Sequence, residues 1–216
     1  YVMEGEPNSA TAGRPTLYVG ATTQSASHKG RFHLFLYFDH LPKIPQSGEM
    51  IGSSIIMNMV GGEYRYAEMA SFPIGVYEVT DTKPSKYASH RAWLESFTWN
   101  THPGYNKTHV YDYQTVTPQS KEVSWDITKL VKKWYEEGTS NRIIMFKMMN
   151  ESELKQHLYY ASTCFYAYNT DGPVLVVSYR NNTGIEPYYT YATMNGLASG
   201  TAYIADATGK LKVAKE

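Results

Sequence analysis

The chain has 216 residues, a length that suits one large all-β core with an appendage. Twenty Lys and Arg balance twenty Asp and Glu, and the isoelectric point is about 7.2, so there is no net field to hold a phosphate backbone and nucleic acid is not an expected partner. No run reaches the roughly 18 apolar residues of a spanning helix, so no membrane insertion through helices is expected.

The chain opens on Tyr1-Val2-Met3-Glu4, which has neither a signal-peptide pattern nor an initiating Met and suggests a piece cut from a longer protein. Period-two runs then dominate. In Arg31 to Phe38 the residues Phe32, Leu34, Leu36 and Phe38 share the face expected to be core, while Arg31, His33, Phe35 and Tyr37 share the other. Further strands are predicted over Thr16 to Val19, Ile51 to Met59, Ile74 to Thr80, Lys121 to Trp125, Arg142 to Met149, Leu158 to Tyr166 and Val174 to Tyr179. Pro and Gly turns separate them, as at Lys83-Pro84, His102-Pro103-Gly104 and Asp171-Gly172-Pro173.

One helix is predicted, over Ile127 to Glu137. Asp126 can cap it, Ile127, Leu130, Val131 and Trp134 form an apolar stripe, and Gly138 supplies the stop. The stripe predicts that it lies across an end or edge of the sheets, with Lys129, Lys132 and Lys133 in water. After Tyr179 a polar linker, Arg180 to Gly184, leads to a Tyr-rich segment and a hairpin around Asp206-Ala207-Thr208-Gly209, which must pack back on the sandwich or serve something downstream. The domain division is therefore a module over 1–180 and a linker and hairpin tail over 181–216. The architecture expected is a jelly-roll-like antiparallel β-sandwich.

The 20 Tyr and 4 Trp fit strands with amphipathic rings on their outer faces, and they also fit a sugar-binding surface. Cys164, the sole cysteine, cannot form an internal disulfide and reads as a small core residue. There is no Gly-rich phosphate loop, His-Glu-x-x-His, Cys/His metal set or serine elbow. The seven histidines are scattered over different elements, so no enzyme is expected. A pyranose needs flat apolar faces for its C–H groups and polar groups for its hydroxyls. Tyr64 and Tyr66 after a Gly-Gly turn, Trp93 in a polar loop, Tyr105 after Pro103-Gly104, and Tyr111 with Tyr113 on one face are the candidate platforms, or else rings covering a sheet edge. Trp99, Trp125 and Trp134 are assigned to core. No cofactor is required; a structural calcium ion would find candidate ligands in Glu4, Glu6 and Asp39.

Several motifs occur in an order that resembles the DNRLRE-type domain, a carbohydrate-binding-module-like family of large secreted or surface bacterial proteins. They are Tyr18-Val19-Gly20, Arg31 through Asp39-His40-Leu41-Pro42, Phe97-Thr98-Trp99-Asn100 with Pro103, Trp125-Asp126-Ile127-Thr128 with Trp134, and Pro173 to Tyr179. The charged pair that follows Ser162 in relatives is missing, and the Tyr64 to Phe72 insert has no counterpart. Tyr203 with Asp206 to Leu211 resembles a tyrosine-aspartate (YD) repeat of Rhs-type proteins. The resemblance implies a non-catalytic module, extracellular or on the bacterial cell surface, that binds a glycan or polysaccharide or mediates adhesion. Its other partner would be the downstream repeat region of the same parent chain. A purely structural module capping the repeat shell is the alternative, and a polysaccharide-lyase-like enzyme using Tyr, His and Arg is the second alternative.

Overall fold

Alternating sequences of this kind form strands where a neighbouring strand satisfies their backbone groups, and long-range antiparallel pairing supplies such neighbours in two sheets. The computed structural model describes residues 1–12, 16–22, 30–46, 48–59, 71–117, 119–151, 161–166, 172–181, 187–193, 196–197, 203–205 and 211–213. The first sheet holds β1 (Val2–Met3), β2 (Thr16–Thr22), β3 (Gly30–Tyr37), β5 (Phe72–Glu78), β6 (Asp112–Val116), β8 (Ile143–Met148) and β9 (Ala161–Tyr166). Its order is β6-β5-β8-β3-β2-β9, with β1 paired to β3. The second sheet holds β4 (Gly48–Asn58), β7 (Glu122–Asp126), β10 (Val174–Asn181), β11 (Pro187–Thr193), β12 (Gly196–Leu197), β13 (Tyr203–Ala205) and β14 (Leu211–Val213). Its order is β14-β13-β11-β10-β4-β7, with β12 on β11. The fold is all-β.

The main core lies between the sheets. Leu34, Leu36 and Phe38 meet Ile74, Val76, Ile144 and Phe146 on one side and Ile55, Met57, Trp125, Leu175 and Val177 on the other. The inward set expected for β3 is therefore inward. Its outward set is buried as well: Phe35 and Tyr37 join Tyr77, Val79, Trp93, Phe97, Ile143 and Met145 in a second apolar cluster. That cluster lies under an outer layer formed by the excursion between β5 and β6, so β3, β8 and β5 carry apolar residues on both faces.

A helix not expected from the sequence, α1 (His90–Glu95), belongs to this layer. The Ser89 side chain accepts from the Ala92 amide at 3.0 Å, and Arg91 pairs with Glu95 one turn on. The second helix, α2 (Thr128–Glu137), starts one residue later than expected, with Ile127 at the N-cap and Asp126 Oδ1 accepting from the Thr128 amide at 2.8 Å. Gly138 ends it in the left-handed conformation at φ 59°. Leu130, Val131 and Trp134 enter the main core, Thr128 Oγ1 accepts from the Ser53 amide of β4, and Lys133 Nζ lies 2.6 Å from Glu78 Oε1 at the end of β5. The helix is thus tied to both sheets. Lys129 and Lys132 face water as expected; Lys133 is partly exposed and pairs with Glu78.

Beyond residue 180 the described strands belong to the second sheet. β11 pairs with β10 from Val174↔Thr193 to Arg180↔Pro187, β13 pairs with β11, and β13 and β14 form the expected hairpin. No helix among the described residues is long and apolar enough to cross a membrane.

Candidate functional site: a polar cluster beneath the outer layer

Two of the apolar strands are each interrupted by an ionisable residue on the outward face. In β3 it is His33 and in β8 it is Lys147. Glu151, just past β8, reaches back to both. Its Oε2 lies 3.2 Å from Lys147 Nζ and its Oε1 lies 2.7 Å from His33 Nε2. His33 is only 5% exposed, and its Nδ1 is buried with no hydrogen-bond partner. With Glu151 ionised, Nε2 carries the proton donated to it.

The excursion between β5 and β6 covers this pair with rings. Trp99, His102 and Tyr105 stand 4.7, 5.6 and 6.5 Å from the His33 ring, centroid to centroid. Lys147 Nζ lies 5.8 Å from the centre of the Tyr77 ring and 5.9 Å from that of Tyr105. At the rim the Arg31 guanidinium sits 5.0 Å from the Trp99 ring centre and grips Glu4 with two bonds, Nη2 to Oε1 at 2.7 Å and Nε to Oε2 at 3.0 Å. Trp99, assigned to core from the sequence, is half-buried between Arg31 and His33 because its turn crosses the sheet from outside.

The electrostatics follow from this packing. Burial alone would raise the Glu151 carboxyl, but the His33 hydrogen bond and the Lys147 cation outweigh it and hold it below the ordinary carboxylate value. Burial likewise opposes the charge of Lys147, and Glu151 beside it reverses that and raises it. The Arg31 hydrogen bond holds Glu4 low. Burial lowers His102, only partly offset by its Nδ1–H donating to the Pro103 carbonyl at 3.0 Å. Tyr, His and Arg, the residue types a lyase-like site would use, do meet here. They are spent on one another: His33 on Glu151, Arg31 on Glu4 and Trp99.

The platforms read from the sequence separate into distinct fates. Trp93 is 5% exposed, on α1 rather than in a polar loop, wedged at 5.3 Å against Phe97, so it offers no face to a ligand. Tyr105 is half-buried, T-shaped against Tyr77 at 5.5 Å. Tyr111 and Tyr113 do not share a face. The Tyr111 amide donates to the Val76 carbonyl while Asp112 is the register partner of Val76, a bulge that turns Tyr111 onto the main core, where its hydroxyl donates to Glu78 Oε2 at 3.1 Å. Tyr113 lies opposite Gly75 and is 55% exposed. Tyr64 and Tyr66 lie outside the described residues, as does most of the insert to which they belong, and nothing is described of the side chains of Ser162 and Cys164.

Of the calcium candidates, Glu4 is committed to Arg31, and no group of three His, Cys, Asp or Glu placed to hold a metal ion occurs among the described residues. The histidines are less scattered than the sequence suggests. His33 and His102 meet, His90 stacks on Tyr37 at 5.7 Å, and His109 stands on edge to Tyr111 at 4.6 Å. The polar cluster had one legible signal: cationic or imidazole side chains on the outward face of two otherwise apolar strands, Arg31 and His33 in β3 and Lys147 in β8. No family model and no curated protein matches the chain.

Proposed function

We propose that the chain is a non-catalytic, jelly-roll-like module of a large bacterial surface or exported protein of Rhs type, acting as a structural and protein-contact unit that caps or joins the repeat region. The observation that carries this reading is the packing of the loop aromatics. Trp93, Trp99, Tyr105 and Tyr111 are turned onto the first sheet and its charged groups, where a glycan platform would need them in water. The pairing of β11 onto β10, with β13 and β14 added beyond it, supports it further, because these strands widen a sheet of the sandwich.

Glycan binding or adhesion is the second reading, and Tyr113 favours it. Its ring is open to solvent beside Met149, also exposed, on the outer face of the edge strand β6. A screen of the full chain against glycan and polysaccharide panels, repeated with Tyr113→Ala, separates the two. Binding abolished by Tyr113→Ala with folding intact would overturn the structural reading; silence across the panel is the outcome expected. Appearance of unsaturated sugar products by ultraviolet absorbance would overturn both in favour of a lyase.

A further inference from the structure

We propose that the turn carrying Trp99, His102 and Tyr105 is an acid-released latch over the outer face of the first sheet. The turn is fastened at its ends by backbone bonds. The Asn100 amide donates to the Pro7 carbonyl at 3.1 Å, the Thr80 amide to the Gly104 carbonyl at 3.1 Å, and the Gly104 amide to Asp81 Oδ2 at 2.7 Å. Around those points its hold is ring packing: Trp99 and His102 lie against His33, His102 also lies 5.5 Å from the Phe35 ring, and the Arg31 guanidinium lies over Trp99. The buried packing of the titratable His102 ring on His33 and Phe35 is therefore part of what closes the turn.

The surrounding charge is balanced while the His102 ring is neutral. β3 presents Arg31 beside His33, β8 and its end present Lys147 and Glu151, the N-terminal segment presents Glu4, and the chain after β5 presents Asp81. Tyr77 and Tyr105 complete the wall, and Lys107 on the turn also faces His102. Three cations, Arg31, Lys107 and Lys147, then stand against three carboxylates, Glu4, Asp81 and Glu151. Protonating His102 makes four cations against three.

The direction with pH follows. Burial keeps the folded His102 below its ordinary value of 6.5, so the released turn binds protons more tightly than the closed one and acid favours release, beginning below that value. Glu151 is held below its ordinary 4.5, so its ion pairs survive the first step and are lost only in stronger acid, in the same direction. Release would bare Trp99, Tyr105 and the aromatic face beneath them. An exported module would then present, in an acidic setting, a surface that it hides at neutral pH.

Hydrogen exchange read by mass spectrometry on the full chain, corrected for intrinsic rates, tests this. Between about pH 7 and about pH 5, on either side of the ordinary histidine range, protection of residues 97–105 should fall relative to that of β8. The tryptophan emission should move to the red, and Trp99→Phe should remove that change, since Trp93, Trp125 and Trp134 are buried. His102→Asn keeps an N–H for the Pro103 carbonyl but cannot take a proton, so it should stay protected in acid; His102→Gln is the second variant should Asn disturb the turn. Constant protection across the range, a fall shared equally by β8, or an undiminished fall in both variants would each overturn the latch.

Discussion

The indole Nε1–H of Trp125 in β7 donates to the backbone carbonyl of Ile74 in β5 at 2.9 Å, so a hydrogen bond joins the two sheets across a core from which both residues exclude water. The same indole stands on edge to Phe146 of β8 at 5.0 Å. A side chain from the second sheet thereby fixes the position of two strands of the first.

Trp125→Phe keeps a ring in the core but removes the donor and leaves a gap. It should lower stability by about 2 to 3 kcal/mol, combining a lost buried hydrogen bond with lost packing. Urea unfolding of wild type and variant measures this. A loss under about 0.5 kcal/mol, the range of an ordinary surface substitution, would show that the bond contributes nothing to holding the sheets.

Gly138 ends α2 at φ 59°, and a β-carbon there would meet nothing within 4 Å. The cost of Gly138→Ala is thus backbone strain without collision, about 1 kcal/mol. Gly138→Asn should recover part of it, because Asn tolerates the left-handed region. Thermal melts of the pair test the ordering wild type, Asn, Ala.

The helix α2 and most strands were legible because their apolar spacing is local: Leu130, Val131 and Trp134 define a stripe without reference to the rest of the chain. The outer layer was not, since Trp93 sits on a six-residue helix too short for a period and marked only by Ser89 and the Arg91–Glu95 pair. β6 reads Asp-Tyr-Gln-Thr-Val, polar enough for a loop, and forms a strand because β5 supplies its partner. A one-residue bulge there reverses Tyr111, which no alternation rule foresees. The pairing of His33 with Glu151 spans 118 positions, so it exists only through the pairing of β3 with β8. Long-range register, rather than composition, decides which of the aromatic and ionisable residues meet.

Tyr111 gives a prediction at alkaline pH. Burial first, and then the Glu78 carboxylate that accepts a hydrogen bond from its hydroxyl, push it up to about 12 from an ordinary 10.0. A group raised in the folded state stabilises below its unfolded value and loses that contribution as pH climbs through the folded one. Stability of the wild type should therefore fall between about pH 10 and about pH 12 more steeply than that of Tyr111→Phe, with Tyr37, Tyr77 and Tyr135 contributing equally to both. Chemical denaturation at both ends of the range compares the slopes; identical slopes would mean that Tyr111 ionises as it does in the unfolded chain.

Trp93 and Tyr113 should respond in opposite ways, although the sequence offers both as binding rings. Trp93 packs against Phe97 and His90 in the second cluster, so Trp93→Ala removes a buried indole and should cost about 3 to 5 kcal/mol. Tyr113 is mostly in water on an edge strand, and Tyr113→Ala should change stability by no more than about 0.5 kcal/mol. Any ligand affinity lost in Tyr113→Ala would then belong to the ring itself, whereas a loss in Trp93→Ala would report a collapsed outer layer. Unfolding curves measured beside the binding screen distinguish these, and a Trp93→Ala protein as stable as wild type would contradict the burial on which the structural reading rests.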